Sequence, residues 1–179
     1  MKKLTHAEIK SDRKTVDSVN EFPRNPIYGL CENIRSIYNV GAIFRSSDAA
    51  FISKLYLTGY TPYPPRKEID KVALGATLTV PWEYYKDPIS AINQIKENNI
   101  KLCAIELTDK RTTIWDEELN IFPVCLIVGN EVTGVSKEIL DLCDYSAEIP
   151  MYGMKQSLNV SVAYGIAVYE FLRKLKTKK

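Results

Sequence analysis

The chain has 179 residues, with 24 Lys or Arg against 22 Asp or Glu, and a single histidine, His6. That length suits one domain able to bury a core, and 45% hydrophobic with 26% charged residues is a globular composition. One histidine in a polar N-terminal stretch argues against a His-based nucleophilic triad and rules out a multi-histidine metal site, so no metal is expected.

Residues 1–26 are polar and end in Pro23 and Pro26, reading as a short basic, helical arm. Residues 27–179 then form the expected main domain, closing on a short basic C-terminal tail. Ile27–Asn33 reads as a strand, residues 40–51 as a helix and Lys54–Thr58 as a strand. Residues 59–67 carry Pro62, Pro64 and Pro65 and must be a loop. A helix over 88–98 and a strand over 101–106 follow. Val124–Val128 is unbroken apolar sequence, as in a strand covered on both faces of a parallel sheet. A short helix over 136–143, a short strand over 147–149 and a long helix over 158–175 complete the chain. Alternation of this kind predicts an α/β fold, a mostly parallel sheet with flanking helices. Ligands bind such sheets at the carboxyl ends of strands, which directs attention to the loops after Asn33, Glu106, Val128 and Ile149.

The charge is unevenly laid out. Residues 1–45 hold 8 basic and 5 acidic side chains, residues 46–170 hold 11 and 17. The last nine residues contribute Arg173, Lys174, Lys176, Lys178 and Lys179 and no acid. Basic ends around an acidic middle are either solvated tails or contacts for an anionic partner such as a phosphate backbone. Cys31, Cys103, Cys125 and Cys143 form no C-x-x-C pair, and the first three lie in apolar stretches. They read as small buried hydrophobes in a reducing cytoplasm. No apolar segment follows Met1-Lys2-Lys3, and no run approaches the roughly 18 residues of a membrane span, so a soluble protein without membrane contact is expected.

Three segments carry chemistry. In Asn39-Val40-Gly41-Ala42-Ile43-Phe44-Arg45, a helix puts Val40, Ile43, Phe44, Ser47 and Phe51 on a core-facing stripe, with Gly41, Arg45 and Asp48 beside it. Gly41 would leave room for the Arg45 guanidinium and a ligand, and Asn39 would cap the helix or offer its amide there; the plainer alternative is a capping asparagine and a surface arginine. Gly129–Ser136 resembles a phosphate-binding loop, but Val135 replaces the required lysine, which weighs against a nucleotide triphosphatase. Glu131 in this loop is either a bidentate partner for Arg45 or part of an ordinary turn. The third segment runs from Ile149 through Met151 and Gly153 to Ser157, Leu158 and Asn159. Ser157 is expected to cap the last helix, leaving Asn159 in its first turn, where backbone N–H groups suit an anion. That helix is apolar nearly all round, which predicts a homodimer or complete burial within one chain.

Together these segments resemble the three motifs of the SpoU (TrmH-like) RNA ribose 2′-O-methyltransferases of the SPOUT superfamily. The matching patterns are N-x-G-x-x-x-R at Asn39, Gly41 and Arg45, G-x-E-x-x-G at Gly129, Glu131 and Gly134, and an unbroken match from Ile149 through Ala163. The resemblance implies a SPOUT fold whose C-terminal part forms a deep trefoil knot, a topology that connection rules alone would exclude. It implies S-adenosylmethionine as cofactor, held around Leu107, Val128, Gly129, Ile149, Met151 and Leu158. It also implies a homodimer acting on RNA, tRNA or rRNA, with tRNA slightly favoured because no separate N-terminal RNA-binding domain is present. The implied catalytic set is Arg45, Asn39, Glu131, Ser157 and Asn159. Arg45 would act as base or as phosphate clamp, and a guanidinium that hardly deprotonates suits the clamp better. Glu131 and Asn39 would hold Arg45, while Ser157 and Asn159 orient the ribose. A catalytically silent RNA- or cofactor-binding dimer and a nucleotide-binding α/β protein are the rival readings.

Overall fold

A computed structural model describes residues 1–11, 13–110 and 112–177. Lys178 and Lys179 of the expected basic tail lie outside the described residues. In the arm, a short helix α1 (His6–Ser11) is closed by a capping box: Glu8 N donates to Thr5 Oγ1 and Thr5 N to Glu8 Oε2. A 3-10 turn at Val19–Glu21 follows, with Val19 buried.

The body begins at β1 (Asn25–Glu32), so Pro26 lies inside the first strand rather than before it. Helix α2 (Ile37–Ala49), β2 (Ile52–Thr58), α3 (Lys67–Ala73), α4 (Ala76–Thr79) and β3 (Trp82–Tyr85) form the first half. Helix α5 (Pro88–Glu97), β4 (Lys101–Ile105), a 3-10 turn (Glu117–Leu119), β5 (Val124–Val128), α6 (Lys137–Leu140), β6 (Tyr145–Ala147) and α7 (Val160–Thr177) form the second. The six strands are all parallel in the order β3-β2-β1-β5-β4-β6. Parallel strands need crossovers and therefore cover on both faces, which is why β5 is buried at every residue.

Two apolar layers supply that cover. On one side Val40, Ile43 and Phe44 of α2 pack with Leu55, Leu57, Leu126 and Phe171 of α7; on the other, Ala91, Ile92 and Ile95 of α5 meet Leu30, Leu102 and Ile127. Tyr164 of α7 is fully buried against Gly29, where a Cβ would stand 2.6 Å from its hydroxyl oxygen. That hydroxyl is satisfied by Ser47 Oγ at 2.8 Å, so α7 and α2 are joined by a buried polar contact within the apolar layer.

Several boundaries differ from the sequence reading. The second strand starts at Ile52, and the short strand is Tyr145–Ala147 rather than 147–149. Only Lys137–Leu140 of the expected 136–143 segment is helical, with Ser136 Oγ accepting from Ile139 N as its cap. The segment from α3 to β3 had no sequence assignment. Cys31, Cys103 and Cys125 are buried and all four cysteines are free, as expected of small core residues. No described helix is long and apolar enough to cross a membrane.

Candidate active site

The loops after β4, β5 and β6 line a cleft of about 360 Å³ at the carboxyl ends of those strands, and the loop after β1 reaches the 129–134 loop through the Asn33 carbonyl and Arg35 N. The 129–134 loop is built by its own residues. Asn130 and Gly134 exchange backbone hydrogen bonds, and Asn130 Oδ1 accepts from Val132 N and Thr133 N. Gly134 sits at φ +69, and a Cβ on Gly129 would lie 2.2 Å from the Gly134 backbone, so both positions demand glycine. Glu106 braces the loop from β4: its carboxylate accepts from Leu107 N at 2.9 Å and Val135 N at 3.0 Å. Glu32 does the same from β1, accepting from Ser136 N. The sequence reading missed both, although Glu32 ends β1 and Glu106 directly follows β4, next to backbone N–H groups that need acceptors.

Side-chain hydrogen bonds join the three motif segments. Asn159 Nδ2 donates to Asn39 Oδ1 at 3.1 Å, and Asn39 Nδ2 donates to Glu131 Oε1 at 2.8 Å. Glu131 also accepts from the backbone N–H groups of Arg35 (2.9 Å) and Ser36 (3.0 Å). Burial alone would raise the Glu131 carboxyl, but these donors outweigh it and hold its pKa below the usual carboxylate range.

Four expectations are corrected here. Glu131 does not pair with Arg45: its oxygens are taken by Arg35, Ser36 and Asn39, and Arg45 stands exposed on α2 with no ion pair among the described residues. Gly41 leaves no room for a guanidinium or ligand. Its missing Cβ would meet Val72 Cβ at 2.8 Å and the Ile69 carbonyl at 2.9 Å, so the glycine lets α3 pack on α2. Ser157 does not cap the last helix; that role falls to Asn159, whose Oδ1 accepts from Ser161 N at 3.0 Å, with α7 starting at Val160. Asn39 is not the cap of α2 either, since Ser36 Oγ accepts from Asn39 N.

Leu107, Val128, Gly129, Ile149, Met151 and Leu158 all line the cleft. Glu131, Ser157 and Asn159 line it too, while Asn39 and Arg45 stand outside its lining. A cleft at the carboxyl ends of parallel strands is where α/β sheets bind nucleotide-like ligands.

Residues 26–169 match the model of the SpoU rRNA methylase family. The chain is 34% identical to the tRNA (guanosine(18)-2′-O)-methyltransferase of Aquifex aeolicus, over 98% of this chain and 82% of that one. It is 30% identical to the Escherichia coli enzyme of the same name, over 84% of this chain and 65% of that one. Its fold superposes on the A. aeolicus TrmH/SpoU tRNA modifying enzyme with a TM-score of 0.80, covering 91% of this chain and 82% of that one at 32% identity. It superposes on an AdoMet-bound rRNA methyltransferase from Sinorhizobium meliloti with a TM-score of 0.78, at 26% identity and covering 88% and 60%. The chain belongs to the SpoU rRNA methylase family, and with it to the RNA ribose 2′-O-methyltransferases that use S-adenosylmethionine.

The residues present fit that cofactor. Apolar Leu107, Ile149, Met151 and Leu158 offer walls for a purine ring, and the carboxylates of Glu106 and Glu131 favour the positive sulfonium.

Proposed function

We propose that this protein methylates a ribose 2′-oxygen in tRNA, with guanosine 18, the nucleotide in its A. aeolicus and E. coli relatives' names, the first to test. The observation that carries the site assignment is the hydrogen-bonded line Asn159–Asn39–Glu131, which ties the cleft to the helix bearing Arg45.

Bound S-adenosylmethionine would supply an electrophilic methyl group to the ribose 2′-oxygen and leave as the neutral thioether S-adenosylhomocysteine, the 2′-hydroxyl proton passing to solvent or to an RNA phosphate. Leu107, Val128, Gly129, Ile149, Met151 and Leu158 hold the cofactor. Arg45, exposed and without an ion pair among the described residues, binds an RNA phosphate and stabilises the oxyanion that develops at the 2′-oxygen. Ser157, exposed on the cleft wall, orients the ribose. Glu131 with its lowered pKa is a poor proton acceptor, so its role is to anchor Asn39 and the chain entering α2. Asn159 serves both as cap of α7 and as partner of Asn39.

The working form is a homodimer. Val162, Ile166 and Tyr169 follow one another along α7 at helical spacing and are 49%, 40% and 50% exposed, an apolar stripe that a second subunit would cover. The segment between β6 and α7 threads as the trefoil knot of this family, a reading supported by its place against the 129–134 loop in the cleft wall. The arm and the exposed Lys176 near the end of α7 contact RNA; of the expected basic tail, Lys174 is buried with its ammonium on the Trp115 and Asp116 carbonyls and Arg173 is paired with Glu170, so neither is free for a phosphate. An enzyme of tRNA with four free cysteines works in the cytoplasm. Incubating the protein and S-adenosylmethionine with tRNA and rRNA from a strain lacking it, then mapping 2′-O-methyl groups, tests the reading. One new site in tRNA is expected; none in either pool contradicts it.

A further inference from the structure

Beside the cleft stands an aromatic loop that the methyl-transfer chemistry leaves unused. Residues 59–67 leave the carboxyl end of β2 with Tyr60 61% and Tyr63 40% exposed. The first half of the loop is braced from Gly59 to Tyr63. Gly59, at φ +66, has the Asn33 carboxamide oxygen 1.9 Å from where a Cβ would sit, and Tyr60 N donates to that same oxygen. Tyr84 Oη donates to the Gly59 carbonyl, and Thr61 Oγ1 donates to the Cys31 carbonyl while accepting from Ile34 N. Tyr63 is stacked on Tyr84, with ring centroids 4.2 Å apart.

Tyr60 is the informative residue. Its ring is open to water, yet its hydroxyl is held by Asn130 Nδ2 at 2.7 Å, one residue from Glu131 and in the cleft-lining loop. A ring fixed at both its backbone and its hydroxyl presents a preorganised face at low entropic cost, and every nucleobase has a complementary face. Exposed Arg35, Arg66 and Lys67, flanking this loop or preceding α2, supply positive charge for the phosphates on either side of such a base.

We propose that Tyr60 is an RNA-binding residue on which an unpaired base next to the methylated nucleotide stacks, with Tyr63 extending the platform. The inference rests on the RNA reading above. It predicts that splayed, single-stranded segments are preferred over continuous duplex, whose bases are not free to stack on protein.

The test uses the full-length protein and a tRNA that the wild type methylates. Tyr60→Ala is expected to raise the KM for tRNA by about 10-fold, the scale of losing one base–aromatic stack, with the Kd for S-adenosylmethionine unchanged by calorimetry. Tyr60→Phe, which keeps the ring and loses the Asn130 contact, should stay within about threefold of wild type. An abasic nucleotide beside the methylated position should cost the wild type a similar factor and cost Tyr60→Ala nothing further. Unchanged KM in Tyr60→Ala, equal damage from Phe and Ala, or additive losses with every abasic substrate would each overturn the inference. A wild type that methylates no RNA would instead overturn the function reading itself.

Discussion

Asn39 Nδ2 donates to Glu131 Oε1 across 2.8 Å, joining residues 92 positions apart in sequence. The carboxylate that receives this bond also closes the N–H groups of Arg35 and Ser36, so one side chain fixes both the entry to α2 and the first residue of the shared motif. Glu131→Ala strands all three donors. Methyl transfer under single-turnover conditions should fall about 100-fold through lost positioning, while the far-UV spectrum and cooperative melting persist because the loop is at the surface.

The same bonds set a pH dependence. The Glu131 carboxyl is held below its ordinary value of 4.5 in the folded protein, so its contribution is complete above that value. It is lost as pH falls through the lower folded value. Carboxyl resonances of Glu131 followed by NMR should titrate below pH 4.5, and an Asn39→Ala variant should move the midpoint back upward by removing one donor.

Arg45 makes no ion pair among the described residues, so its removal has little for the fold to lose. Arg45→Ala should leave the melting temperature nearly unchanged, within about 0.5 kcal/mol, and reduce methyl transfer by roughly 100- to 1,000-fold, the range for loss of one oxyanion-stabilising group. Arg45→Lys should recover part of the rate, since it keeps the charge and loses the fork. Near-wild-type chemistry in Arg45→Ala would remove both the base and the clamp as its role.

Burial pushes the thiols up: Cys103 to about 12, Cys143 to about 11, and Cys31 and Cys125 well above their ordinary range. Thiolate is the reactive form, so at pH 8 the native protein should react slowly with Ellman's reagent at all four positions. In denaturant all four should react fast, and activity should withstand alkylating agents under native conditions.

Gly41→Ala places a methyl 2.8 Å from Val72 Cβ and 2.9 Å from the Ile69 carbonyl, a backbone atom that does not yield easily. A loss of about 1–3 kcal/mol is expected from this overpacking, measured by urea unfolding. A stability unchanged by this substitution would mean that α3 is not held against α2 by close approach.

What could be read from the residues beforehand follows a physical boundary. The apolar run Val124–Val128 and Val40, Ile43, Phe44 and Ser47 of the α2 stripe are local patterns, and the structure buries them; Phe51, read as the last member of that stripe, is only half-buried, because α2 ends at Ala49 and the chain turns at Phe51 with φ +52. The motif glycines Gly129 and Gly134 mark a tight loop in the sequence and form one in the structure. The segment from α3 to β3 was not read, because two short helices and a four-residue strand carry too little periodicity to stand out. Missing α3 led directly to the wrong account of Gly41, whose neighbours Ile69 and Val72 lie in that helix. The Glu131–Arg45 pair failed for a related reason. Charge complementarity suggested it, whereas the carboxylate is claimed by backbone donors that no side-chain pattern reveals. Asn159 and Ser157 are both good caps by residue type; α7 starts at Val160, with Asn159 accepting from Ser161 N and donating to Asn39, a contact 120 residues away in sequence that no local pattern shows.

The most direct test of the account is single-turnover methyl transfer from labelled S-adenosylmethionine to a tRNA carrying either ribose or 2′-deoxyribose at the mapped nucleotide. Transfer to the ribose form and none to the deoxy form is the predicted result. Equal labelling of both would place the methyl group elsewhere than the 2′-oxygen and contradict the account at its centre.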